Sequence, residues 1–176
     1  MQVRRVVTGH DAGGQPVFIS DDNTPRAADF ADIPGYGFAQ LWSTEYPSTT
    51  TATDDPTAAR GSLIPGTGGT SMLMVSLPPD SVMAQPRNPE RAFAQMAEEL
   101  PGLLECFDPE RPGMHKTPTV DYGVLLEGEL WLELEGGESR VLHPGDVVIQ
   151  NGTSHAWRNR SDQPAKAVFF MQGAIV

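Results

Sequence analysis

The sequence predicts an all-β fold, and three observations lead to that prediction. The 176 residues include 18 glycines and 16 prolines, which favour many short strands over long helices. From residue 112 onward, short apolar stretches recur with brief, turn-like connections between them. The stretch at 129–135 alternates strictly, which places Leu130, Leu132 and Leu134 on one face of a strand. This spacing is typical of an antiparallel sandwich or barrel.

The first 70 residues predict a few strands separated by long polar segments. Short strands are expected at 3–7, 17–20 and 37–42. Most of 21–70 shows little periodicity and is rich in Thr, Asp, Pro and Gly. A connection of this length in a compact domain is functional, tied down by a partner subunit, or partly mobile. We therefore expect residues 1–70 to form an N-terminal arm that packs on the main domain.

The middle of the chain predicts one buried strand and one helix. Residues 71–77 form an apolar stretch closed by Pro78-Pro79. Residues 90–100 place apolar side chains at helical spacing with charged residues between them. Asn88-Pro89 supplies a start signal for this helix, and Pro101-Gly102 supplies a stop.

The C-terminal part predicts six closely spaced strands. They are expected at 119–126, 129–135, 139–142, 146–150, 154–158 and 165–171. A length of 176 residues suits one structural domain, with residues 71–176 as its barrel and residues 1–70 as its arm.

Charge and composition exclude several classes of function. The chain carries 12 basic and 23 acidic side chains, for a formal net charge of −11 at pH 7. This charge opposes nucleic acid or an anionic membrane surface as the main partner. No apolar run approaches the length of a membrane span, and the first residues lack the apolar core of a signal peptide, so a cytoplasmic location is expected. The single cysteine, Cys106, excludes an internal disulfide.

Two of the four histidines lie where they can face the interior of the predicted barrel. His115 precedes the first of the six strands, and His155 lies in the fifth. In an extended chain His115 and Asp121 share a face but lie about 20 Å apart. They reach one site only if the chain bends between them, and Pro118 is a plausible place for that bend. Trp157 shares the face of His155 by alternation, which suggests that it lines the same pocket.

The segment MHKTPTVDYGVLLEGEL resembles the first sequence motif of the cupin family. That motif is usually written G-x5-H-x-H-x3/4-E-x6-G. In this chain His115 fills the first His position, and Thr117 stands where the second His is usual. Asp121 stands where the Glu is usual, and Gly128 closes the motif. Pro109 stands in place of the opening glycine.

The segment LHPGDVVIQNGTSHAWRN resembles the second cupin motif, usually written G-x5-P-x-G-x2-H-x3-N. Gly145, Gly152, His155 and Asn159 match it, while its first spacer is one residue short and Gln150 replaces the proline. The resemblance covers about residues 111–171. It implies a cupin double-stranded β-helix, which is a jelly-roll-like barrel, with the N-terminal arm and one short helix added to it.

The resemblance also implies a metal site inside the barrel. Cupin motifs bring three His and one Glu onto a divalent metal; with Thr117 in place of one His, the implied ligands here are His115, Asp121 and His155. Such a set suits Fe, Mn, Ni, Zn or Co and leaves coordination positions open for substrate. Asp is one methylene shorter than Glu, so Asp121 either completes the ligand set or orients His115. The pocket around the metal is expected to include Thr117, Leu125, Leu132 and Trp157.

Three functions follow as hypotheses. The first is a metal-dependent enzyme, of the lyase, decarboxylase, isomerase or dioxygenase type, that acts on a small organic acid or an aromatic or polyketide-like metabolite. The second is a non-catalytic cupin that binds a small apolar molecule. The third is a cupin that works without metal, either an isomerase similar to a sugar epimerase, with a histidine as its general base, or a regulatory protein. The expected partners are a small-molecule ligand and a second copy of the chain, because long arms and exposed sheet edges favour homodimers.

Overall fold

The computed structural model describes residues 1–51 and 54–175. Within these residues the chain forms strands β1 (Arg4–His10), β2 (Pro16–Asn23), β3 (Ala27–Asp29), β4 (Gly37–Thr44), β5 (Thr70–Leu77), β6 (Thr119–Glu127), β7 (Leu130–Leu134), β8 (Ser139–Leu142), β9 (Val147–Asn151), β10 (His155–Arg158) and β11 (Ala165–Gly173). The helices are α1 (Asp80–Met83) and α2 (Pro89–Glu99), with 3-10 turns at Pro56–Ala59 and Leu104–Cys106. The predicted all-β class is confirmed.

The described strands form three antiparallel sheets. One sheet contains six strands in the order β3-β4-β5-β11-β6-β9, and another contains β10-β7-β8. The hairpin β1-β2 forms a separate two-stranded sheet. All ten strands expected from the sequence are present. Strand β3 and helix α1 were not predicted, because three or four residues are too few to show a period.

The N-terminal segment divides into two parts with different roles. Strand β4 pairs along β5, so residues 27–44 extend the six-stranded sheet. The β1-β2 hairpin instead forms its own two-stranded sheet and exposes Phe18, of which 76% is accessible. The division between arm and barrel at residue 70 therefore stays a prediction.

The alternation of β6 positions one face of the six-stranded sheet toward the interior. Thr119, Asp121, Gly123 and Leu125 are buried, whereas Tyr122 is exposed. Contact between the two larger sheets is direct, because the rings of Trp157 on β10 and Phe169 on β11 lie 5.2 Å apart. Side chains on this inner face of β6 therefore point into the space between the sheets.

Two groups of buried apolar side chains form the core. The larger lies against the helices and the β4-β5 side of the sheet and contains Ala28, Phe30, Ile33, Tyr36, Phe38, Leu63, Leu73, Ala92, Leu100 and Met171. The smaller lies at the other end of β6 and contains Leu125, Leu130, Ala165 and Ala167. The space between these two groups is where the candidate site lies.

Helix α2 begins and ends at the predicted signals. The side chain of Asn88 accepts a hydrogen bond from the backbone N–H of Arg91 at 3.0 Å, and Pro89 occupies the first turn. Ala92 and Leu100 are buried against the larger core group. Neither α-helix in the described residues is long and apolar enough to cross a membrane.

The turn between β6 and β7 requires glycine for two reasons. Gly128 has a φ of +80°, and a Cβ built there would lie 2.8 Å from the Cα of Ala165. Gly137, in the turn between β7 and β8, has a φ of +84° but no heavy atom within 4 Å of such a Cβ. The two glycines share the conformational requirement, and only Gly128 adds a steric one.

We expect Gly137→Ala to lower the free energy of unfolding by about 1 kcal/mol, through backbone strain alone. Gly128→Ala should lower it by about 2 kcal/mol, because the added methyl group also displaces the backbone of β11. Urea unfolding of both variants provides the measurement. Equal losses in the two variants would contradict the steric role of Gly128.

Candidate active site

The two interior histidines are adjacent and are held by their own backbones. The N–H of His115 donates to the carbonyl of His155 at 2.8 Å, and the N–H of His155 donates to the carbonyl of His115 at 2.9 Å. His115 also forms a bridge with Phe107 on its other side. The imidazole rings consequently lie with their centroids 4.2 Å apart.

The hydrogen bonds of the rings define the tautomer of both imidazoles. Nδ1 of His115 lies 3.1 Å from the carbonyl oxygen of Gly113, and Nδ1 of His155 lies 2.9 Å from that of Thr153. A carbonyl oxygen only accepts, so each Nδ1 carries a proton. Burial and the neighbouring His155 lower the pKa of His115 to about 4, and burial lowers the pKa of His155. Both rings are therefore neutral near pH 7, with an unprotonated Nε2.

The bend expected near Pro118 is confirmed. The hydroxyl of Thr117 donates to Oδ2 of Asp121 at 3.4 Å. Side chains four residues apart in a straight strand would be separated by about 13 Å. Thr119 donates in turn to the Thr117 hydroxyl at 2.7 Å. The segment before β6 thus folds back and brings Asp121 toward the histidines.

Asp121 and its neighbour Gln150 are the polar groups on the sheet side of the site. They are directly opposed residues of β6 and β9. Burial raises the pKa of Asp121. Oδ1 of Asp121 and Nε2 of Gln150 are buried, and neither has a hydrogen-bond partner among the described residues.

These side chains line a cavity of about 90 Å³ between the two sheets. Its polar wall consists of His115, Thr117, Asp121, Gln150 and His155, and its other walls consist of Tyr36, Leu73, Val75, Leu77, Leu103, Phe107, Gly123, Val148, Trp157, Phe169 and Met171. A mainly apolar cavity with a few convergent polar groups is the usual form of a small-molecule site.

Two of the four expected pocket residues line this cavity. They are Thr117, expected from the cupin motif, and Trp157, expected from its alternation with His155. Leu125 and Leu132 are not among its lining residues. Leu125 shares the inner face of β6 with Asp121 but lies four residues further along, where it packs in the smaller core group with Leu130. The inner face therefore extends beyond the cavity.

A second, wider cavity opens beside the first and reaches His115. It has a volume of about 480 Å³ and shares five lining residues with the inner cavity, namely Tyr36, Leu77, Phe107, His115 and Trp157. Its outer part includes Glu133, which accepts from Arg158 at 3.2 Å and from Arg160 at 3.4 Å. The inner cavity thus adjoins a wider cavity, the vestibule, which is mainly apolar and carries charged side chains in its outer part.

The donor chemistry of the site fits a metal only in part. Two neutral imidazoles with free Nε2 atoms are good ligands for a divalent transition metal. Across residues 1–51 and 54–175, however, no group of three or more His, Cys, Asp or Glu side chains is arranged to hold a metal ion. The structure brings His115 and His155 together, whereas Asp121 lines the same cavity without completing such a group. Its role as a direct ligand stays a prediction.

Sequence comparisons place these residues within a known family. The cupin domain family profile matches residues 103–171. Phomopsin biosynthesis cluster protein C' from Diaporthe leptostromiformis is 54% identical over 68 residues, which are 35% of this chain and 35% of that protein. This chain therefore matches about a third of the length of that relative.

A longer match covers almost the whole chain. The cupin-domain-containing oxidoreductase srdB from Neurospora crassa is 30% identical over 166 residues, which span 94% of this chain and 70% of that protein. Among solved structures, a cupin 2 conserved barrel domain protein from Salinispora arenicola is similar with a TM-score of 0.41 and 11% identity, over 83% of this chain and 82% of that one. No functional conclusion follows from a structural similarity at that level. The match along nearly the full sequence shows that the chain belongs to the cupin family.

Proposed function

We propose that this chain is a cupin enzyme that acts on a small, largely apolar metabolite held in the inner cavity. The observation that carries the proposal is the pair of neutral imidazoles, His115 and His155, at the wall of a mainly apolar cavity. The apolar walls suit an aromatic or polyketide-like substrate, and the vestibule accommodates the remainder of a longer molecule. A small organic acid is the alternative substrate class.

The two Nε2 atoms would hold a divalent transition metal such as Fe, Mn, Ni or Zn. A metal bound there supplies Lewis-acid chemistry, or oxygen chemistry if it is iron. The backbone bonds between His115 and His155 keep both rings oriented before any ligand arrives. Trp157, Phe169 and Phe107 exclude water from the substrate.

Within this proposal the relatives favour one reaction type. Relatives from Neurospora crassa and Aspergillus ruber are described as cupin-domain-containing oxidoreductases. Their names support an oxidoreductase of the dioxygenase type over a lyase, decarboxylase or isomerase.

A second candidate is a cupin that binds its ligand without a metal. The lack of a three-residue ligand group within the described residues favours it. In this form the chain is either a small-molecule-binding protein or an isomerase in which an unprotonated Nε2 accepts the substrate proton.

A homodimer also remains a proposal, supported by the exposed Phe18 on the β1-β2 hairpin.

Metal analysis tests the main proposal. Protein loaded in turn with Fe(II), Mn(II), Ni(II) and Zn(II), then desalted, should retain about one equivalent of at least one metal. A His115→Ala, His155→Ala double variant should lose that metal, and His143→Ala, which changes an exposed histidine, should keep it. A wild type that retains no metal after loading would contradict the metal-dependent enzyme and favour the second candidate.

A further inference from the structure

A metal held by the two histidines alone leaves two buried polar atoms of the cavity unpaired. Asp121 and Gln150 are only 8% and 6% exposed. Oδ1 of the first and Nε2 of the second lack a partner in the part of the chain that the structure describes. Buried polar atoms normally have partners, because leaving one unpaired destabilises the fold. Two such atoms side by side in a ligand cavity point to a ligand that pairs with them.

The other polar atom of each side chain is already engaged. Oδ2 of Asp121 accepts from Thr117, and Oε1 of Gln150 accepts from Thr153 at 3.0 Å. These bonds identify the amide nitrogen of Gln150 as the free donor and Oδ1 of Asp121 as the free acceptor. Because the two residues are opposed across β6 and β9, the free donor and the free acceptor belong to neighbouring side chains on the same inner face.

We propose that Asp121 and Gln150 together bind a hydroxyl group of the substrate. The hydroxyl oxygen accepts from Nε2 of Gln150, and its hydrogen is donated to Oδ1 of Asp121. A hydroxyl is the smallest group that accepts and donates through one atom, which suits a small cavity. A carboxylate would satisfy Gln150 but brings no hydrogen for Asp121. This inference rests on the proposed function, since it takes the cavity as the substrate site, and it selects alcohols and phenols over organic acids.

This assignment places the residues that recognise the substrate and the histidines on different sides of one cavity. The histidines lie on the side formed by β10 and the segment before β6, whereas the hydroxyl-binding pair lies on β6 and β9. The pair also accounts for Gln150 at a position where the second cupin motif usually has proline. Proline offers no side-chain donor there.

Binding of three small probes to metal-free protein tests the proposal. Phenol, toluene and benzoate share one ring and differ in the group attached to it. By isothermal titration calorimetry, phenol should bind the wild type about tenfold or more tightly than toluene, and more tightly than benzoate. In Gln150→Leu the affinity for phenol should fall about tenfold, while the affinity for toluene stays within about threefold. Gln172→Leu, an exposed position on β11, should bind all three probes as the wild type does.

Three results would overturn the hydroxyl assignment. They are no binding of phenol to the wild type, tighter binding of benzoate than of phenol, and a preference for phenol that survives in Gln150→Leu. Urea unfolding checks that Gln150→Leu still folds cooperatively, since this variant loses both the unpaired donor and the acceptor of the Thr153 hydroxyl. The titrations use no metal. The result for the hydroxyl-binding pair is therefore independent of the metal analysis that tests the proposed function.

Discussion

Asn159→Ala is expected to lower the free energy of unfolding by about 3 kcal/mol, because it removes several buried hydrogen bonds at once. The Asn159 side chain is 2% exposed. Its Nδ2 donates to the carbonyls of Leu77 at 2.9 Å and Gln163 at 2.8 Å, and its Oδ1 accepts from the N–H and hydroxyl of Ser161. The side chain thereby ties the end of β5 to the turn between β10 and β11.

Urea or guanidinium unfolding measures this loss. The variant leaves two carbonyl groups without their hydrogen-bond donor. The space left by the side-chain amide supplies no other donor. Asn23→Ala, at an exposed position at the end of β2, is the matched control and should change stability by less than about 0.5 kcal/mol. A loss below about 1 kcal/mol for Asn159→Ala would show that water satisfies these carbonyls.

The stability of the metal-free protein is expected to fall as the pH drops from about 6.5 to about 4. The pKa of His115 lies at about 4 in the folded protein and at 6.5 when unperturbed. Between these values the unfolded chain binds a proton that the folded protein excludes, so His115 costs about 1.4 kcal/mol of stability per pH unit. By pH 4 the loss from this residue is on the order of 3 kcal/mol.

Other groups act in the same pH range, so the effect must be isolated by difference. The lowered pKa of His155 adds a loss of the same sign. The raised pKa of Asp121 acts in the opposite sense, because the folded protein keeps that proton to higher pH than the unfolded chain does. We expect His115→Asn to show a shallower fall in stability than the wild type across this range, measured by urea unfolding in the presence of a chelator. His143→Asn should follow the wild type, and parallel curves for wild type and His115→Asn would refute the attribution.

Much of the fold could be predicted from local signals in the sequence. The strands from β6 to β11 alternate or end at strong turn residues, and helix α2 has an asparagine cap and a proline in its first turn. Strand β3 contains three residues and is held by its pairing with β4, so its formation depends on a tertiary contact. Which N-terminal strands join the larger sheet likewise depends on pairing between residues that are distant in sequence.

The residues of the candidate site also divide into those that local sequence signals predict and those that only the fold reveals. Motif spacing identified His115, Asp121 and His155, and all three line one cavity. Tyr36 and Phe107 were missed because each lies in a turn or loop without periodicity, and only the fold places these segments at the cavity. Gln150 carried a signal, as a polar residue at an inward position of an otherwise apolar strand opposite Asp121. Its unpaired donor is visible only in three dimensions.

The reciprocal backbone bonds between His115 and His155 have a consequence for how a ligand binds. The conformational entropy of bringing the two rings together is lost when the sheet forms, so a metal or substrate meets an assembled site. The two bonds form an isolated bridge between β10 and the segment before β6. A ligand held by both histidines therefore stabilises the contact between these two segments, and the amide hydrogens of His115 and His155 should exchange more slowly when it is bound.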